Sequence, residues 1–166
     1  MTQPQFARRA LAGMLTATLL APGADAYSRF DGVFFSLGST TINERGRAIL
    51  EETANFYPTA LDGFRRLQQF GVIPTAPSPW IHVRGYAPDG EHNAENEFLA
   101  SMRALNVAQI LLDSGLPRPF LVVSSFAGRM PFFAGLPSDD PQNRVVYVTF
   151  LPTPERSHGG LAPFER

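Results

Sequence analysis

The run Gly85-Tyr86-Ala87-Pro88-Asp89-Gly90, continued through Asn96-Glu97-Phe98-Leu99, Arg103-Ala104, Val107 and Leu111 to Gly115, decides how the rest of the chain is read. It opens at the end of a strand. In Trp80-Ile81-His82-Val83-Arg84-Gly85-Tyr86, Ile81 and Val83 alternate with polar neighbours, the period of a strand with one buried face. Ala87-Pro88-Asp89-Gly90 is a turn, because Pro presets φ, Asp hydrogen-bonds its own backbone and Gly accepts positive φ. From His92 to Ser114, Leu99, Ala104, Val107, Ile110 and Leu111 recur on one side of a helix, and Gly115 is placed as its C-terminal stop.

Upstream, Phe30-Asp-Gly-Val-Phe-Phe-Ser-Leu37 is rich in aromatic and β-branched residues and stops at Gly38-Ser39, which predicts a strand. Thr41 followed by Glu44 forms a capping box, and Ile42, Gly46, Ile49, Thr53 and Phe56 follow at spacings of four and three, the signature of a helix. Pro58 is expected to kink or end it, leaving a weaker helical stripe over residues 59–71 and a Pro-rich loop at 73–79. Downstream, Phe120–Phe126 and Val145–Phe150 read as strands joined by a Gly- and Pro-rich loop, and residues 152–166 as a disordered tail. The order β-α-β-α-β-β predicts an α/β two-layer sandwich with both helices on one face of a mixed sheet.

Composition excludes several functions. The 166 residues contain no Cys, so disulfides and thiolate metal sites are ruled out, and a formal charge of −1 offers no basic field for nucleic acid. His82 and His92 lie ten residues apart without a third ligand type nearby, so no metal and no cofactor are expected. No Gly-x-Ser-x-Gly, His-Glu-x-x-His or phosphate-binding Gly loop occurs, which argues against an enzyme.

Residues 1–26 are expected to be a secretory signal peptide. Arg8-Arg9 form the positive region, Ala10 to Ala21 carry no charge, and Ala24-Asp25-Ala26 supply the small residues that signal peptidase requires. Pro22-Gly23 interrupt the apolar stretch where an anchor would have to continue. The mature chain is expected to begin near Tyr27, to be exported, and to carry no transmembrane segment.

The residues quoted at the outset, with Pro131 and Asn143-Arg144-Val145-Val146, resemble the OmpA-like domain family, whose pattern runs G-[HYF]-T-D, N-x-x-L-S-x-x-R-A-x-x-V-x-x-x-L-x-x-x-G and N-R-R-V. Phe35 to Ile42 resemble that family's first strand and helix start, so residues 27–151 are read as one such domain with an insertion at 58–79. The resemblance implies a peptidoglycan-binding module of the Gram-negative periplasm, associated with the outer membrane, that grips the diaminopimelate of the peptide stem. Other envelope proteins would be its further partners. It also implies ligand-binding roles for Asp89, Asn96, Arg103, Asn143 and Arg144. An Arg fork matches a carboxylate and an acid matches an ammonium.

Departures from the pattern are plain. The family's acid falls on Pro88, with Asp89 one position late; Ala100 replaces the usual Ser, and Val145 the second Arg. Asp89 is equally read as a turn residue, Arg103 as a salt-bridged helix residue, and Asn143 as a residue bonding its own loop. The alternative function is a degenerate domain of this kind serving as a periplasmic protein-interaction or envelope scaffold.

Overall fold

A computed structural model describes residues 30–87, 94–127, 136–137 and 140–152. In chain order these form β1 (Phe30–Phe34), α1 (Glu44–Gln69), β2 (Trp80–Ala87), α2 (Ala94–Asp113), β3 (Leu121–Ala127) and β4 (Val145–Leu151), with 3-10 turns at Arg118–Phe120 and Pro141–Asn143. Expectations for residues 1–29, 88–93, 128–135, 138–139 and 153–166 lie outside the described residues. Among them are the leader, the turn holding Pro88 and Asp89, His92, and the disordered tail.

The strands form one sheet in the order β1-β4-β2-β3, with β4 antiparallel to both β1 and β2 and β2 parallel to β3. A parallel pair needs a crossover, and α2 supplies it. Side chains alternate along each strand, so Val33, Ile81, Val83, Val123, Val146 and Val148 fall on one face. There they pack with Leu50 and Ala60 of α1 and with Ala104, Val107 and Leu111 of α2 as a single core. Each fully buried large aliphatic contributes on the order of 1.5–3 kcal/mol, which makes this face the main stabilising layer. The two-layer α/β sandwich with a mixed sheet is the architecture expected from the sequence.

Contact between β2 and α2 is unusually close at Gly85, where an added Cβ would lie 2.2 Å from the Ala100 carbonyl oxygen. The absence of a side chain there lets the end of β2 pass under α2. Gly115, at φ 90°, ends α2 as expected, with the N–H groups of Leu116 and Gly115 donating to the carbonyls of Leu111 and Leu112.

Two expectations for α1 are corrected. Its N-cap is Asn43, whose side chain accepts from the Gly46 N–H at 2.8 Å, and not Thr41, whose own N–H donates to Ser39 Oγ. Asn caps at least as well as Thr, and its position places the helix start two residues later. Of the kink or end expected at Pro58, the end is absent, since α1 is one helix of 26 residues with Pro58 inside it. The buried positions Leu50, Thr53, Ala60, Phe64 and Leu67 keep helical spacing on both sides of Pro58. Packing of one continuous stripe outweighs the loss of one backbone donor.

Residues 58–79 therefore lengthen α1 and return along it. Gly71, at φ 68°, closes the helix, and Val72 N–H donates back to the Leu67 carbonyl. Phe64 and Leu67 pack with Ile73 and Ala76 in a small second cluster, pinned by Gln68 Nε2 donating to the carbonyls of Pro74 and Ala76. The Tyr57 hydroxyl and Ser78 Oγ, 2.6 Å apart, tie the returning chain to mid-helix.

Candidate functional site

Arg103 sits on the half of α2 that crosses Gly85, and its side chain is 0% exposed. All three of its nitrogens donate to backbone carbonyls: Nε to Ser39 at 2.8 Å, Nη1 to Tyr86 at 3.3 Å and Nη2 to Ser36 at 3.3 Å. The guanidinium carbon also lies 5.3 Å from the centre of the Phe35 ring, a cation–π contact. One buried cation thus ties the connection between β1 and α1 to the C-terminal end of β2. Asn106 Nδ2, donating to the Thr40 carbonyl at 3.0 Å, holds the same connection one turn further along α2.

Asn96 is two turns before Arg103 on the same side of α2 and is 5% exposed. Asn143 is fully buried; its N–H donates to the Asp140 carbonyl and its Nδ2 to the Pro137 carbonyl, so it shapes its own loop. The Arg144 carbonyl accepts from the Phe35 N–H at 2.9 Å, which joins the start of β4 to the residue whose ring lies against Arg103. Phe35 therefore links Arg103 and Arg144. Asp89, the remaining expected site residue, lies outside the described residues.

Phe35 and the carbonyls of Ser36, Ser39 and Tyr86 were not among the expected site residues. Backbone carbonyls carry no side-chain signature, so only the aromatic at Phe35 could have been flagged.

The opposite sheet face carries Tyr86, stacked on Phe126 at 5.1 Å between ring centres, with Tyr147 edge-on to Tyr86 at 6.4 Å. Burial pushes the Tyr86 hydroxyl up, with Arg84 partly offsetting it. Burial, and then the neighbouring Tyr86, push Tyr147 up to about 12. Among the described residues no group of three His, Cys, Asp or Glu could hold a metal ion, and no helix is long and apolar enough to cross a membrane.

This combination of a mixed four-stranded sheet, two helices on one face and a buried Arg bridging two loops defines a class of α/β domain. The sequence matches the OmpA family over residues 34–144, and the chain belongs to that family. Its fold is similar to the OmpA-like domain of FopA1 from Francisella tularensis subsp. tularensis SCHU S4, with a TM-score of 0.56 and 21% identity, covering 75% of this chain and 73% of that one. It is similar as well to the peptidoglycan-associated lipoprotein from Burkholderia pseudomallei, with a TM-score of 0.53 and 18% identity over 72% of this chain and 89% of that one. The periplasmic domain of Helicobacter pylori MotB gives a TM-score of 0.50 and 21% identity over 75% and 70%. No curated protein sequence matches the chain.

Proposed function

We propose that this chain is a non-catalytic module of the cell envelope that binds peptidoglycan through the diaminopimelate of the peptide stem. The observation that carries the reading is the convergence on Arg103 of two chain segments, one at Ser36 and Ser39 and one at Tyr86, three residues before Asp89 in sequence. Membership of the OmpA family and likeness in fold to a protein named as peptidoglycan-associated support it. The free end of diaminopimelate carries a carboxylate beside an ammonium. Arg103 supplies the positive charge for the first and Asp89 the negative charge for the second, while Asn96, Asn143 and Arg144 complete the polar surroundings. The chain acts after export, in the periplasm at the outer membrane.

A second reading, an envelope scaffold without a muropeptide site, is favoured by one observation. Arg103 is wholly buried and its three nitrogens already serve backbone carbonyls, work that requires no ligand. Sedimentation of the chain with purified sacculi separates the two. Co-sedimentation that free diaminopimelate competes away is the expected result; a chain that stays in the supernatant would make the scaffold reading the correct one.

A further inference from the structure

The two edges of the sheet are not built alike. β1 is five residues long and carries the inward-pointing Asp31, whose carboxylate accepts from Thr53 Oγ1 at 2.7 Å. A short strand and an inward charge both keep an edge from pairing with another chain. β3 has neither. Its seven residues, Leu121–Ala127, hold no charge, no Pro and no Gly, and they follow β2 without a bulge from Ile81 opposite Leu121 to Ala87 opposite Ala127. About half of the peptide groups of such a strand point away from its neighbour, and among the described residues nothing pairs with the far edge of β3.

The flank of α2 above that edge is apolar. Phe98, Leu105 and Leu112 recur every seven residues, with Ser101 and Ala108 three places after the first two, the spacing of a seam that receives a second helix. Ser101 Oγ and Ser125 Oγ, 3.0 Å apart, fix this flank over β3. Leu105, Ala108 and Leu112 line a half-open groove of about 230 Å³ with Leu121, and Phe98 is 61% exposed.

We infer that β3 and this flank of α2 form the contact surface for a second copy of the chain, the two β3 strands pairing antiparallel about Ser124 to join two four-stranded sheets into one. The surface is self-complementary, as a two-fold contact requires. Ser124 is the middle residue of β3, so Val122 of each copy falls opposite Phe126 of the other, an aliphatic–aromatic pair on the outer sheet face. α2 packs on β2 and β3 alike, and with strands about 4.8 Å apart the two α2 helices lie about 10 Å from one another, a helix-packing distance. Because Ser101 stands over Ser125, the two-fold axis passes α2 between Ser101 and Leu105. That sets Leu105 and Phe98 of each copy across from the small Ser101 and Ala108 of the other. The seam itself is uncharged. Of the acids on α2, Glu95 and Asp113 lie about a quarter-turn off its centre, and Glu97 falls level with the neutral Gln109 of the other copy.

The test is sedimentation equilibrium of the exported chain at concentrations up to about 100 µM, native and with two changes. Phe98→Ser removes an exposed side chain whose loss costs the monomer little, and Ser124→Cys puts the only thiol of a cysteine-free chain on the two-fold axis. Phe70→Cys, exposed just past the end of α1, is the control for cross-linking. The expected result is a dimer whose dissociation constant rises at least tenfold in Phe98→Ser, and mild oxidation that joins the Ser124→Cys chain into covalent dimers faster than the Phe70→Cys chain. A monomer at every concentration, a dimer indifferent to Phe98→Ser, or a Ser124→Cys chain that cross-links no faster than the control would overturn the inference.

Discussion

Removing the Arg103 side chain would take the donor from three backbone carbonyls, one of them in a buried bond and two in half-buried ones, and open a void beside Phe35. Arg103→Ala is therefore expected to cost roughly 3–5 kcal/mol of stability, read from urea unfolding, and a loss under about 1 kcal/mol would contradict the role given to it. For the same reason this variant is a poor probe of binding, and Asp89→Asn is the cleaner one. The buried tyrosines give a second residue-scale prediction. Their folded values lie above the ordinary value near 10, Tyr147 at about 12, so the fold favours the neutral phenols. That contribution is fully present below pH 10 and is lost as pH rises from 10 toward 12, because the unfolded chain ionises first. Urea midpoints should fall over that window in the native chain and less steeply in Tyr147→Phe; equal slopes would contradict the assignment. In the sequence Arg103 was legible through its interval from Asn96 and Leu99. Its burial was not, since its partners are main-chain carbonyls that any residue could supply.

Between elements, the contact of β2 with α2 is backbone against backbone at Gly85, and neither side can yield as a flexible side chain would. Gly85→Ala should lower the melting temperature by roughly 10 °C or more, and an unchanged melting point would mean that the two elements are not so closely packed. Pro58 sits inside a continuous helix whose packed stripe passes from Thr53 to Ala60 through the half-buried Phe56 and Tyr57. Pro58→Ala should restore a backbone donor and raise stability by about 1 kcal/mol, the gain being reduced because Ala also loosens the unfolded chain; a loss of stability would show that the proline is needed where it stands. The strands and α2 could be read from alternation and helical spacing because each is half-buried against one core. The length of α1 could not, because a local rule about proline competes with packing that only the folded chain reveals. The cap at Asn43 was missed for a similar reason: Thr41 with Glu44 satisfies the same local pattern, and the choice depends on where β1 releases the chain.

At the scale of the whole molecule, the mature chain expected from Tyr27 onward is weakly acidic, so general electrostatic attraction to the anionic cell wall cannot hold it there. On the proposed reading, binding comes from a local site that reads both charges of diaminopimelate. The family pattern made that site legible as a set of positions, while the shift of the acid from Pro88 to Asp89 left its chemistry open. Calorimetry of the mature protein with two muropeptides tests this most directly. One carries the free diaminopimelate carboxylate and the other carries it amidated, with the ammonium unchanged. Binding to the free acid at least tenfold tighter than to the amide, about 1.4 kcal/mol or more, is the predicted result, and Asp89→Asn should weaken the tighter complex. Equal affinity for the two muropeptides, or heat from neither, would contradict diaminopimelate recognition by this domain.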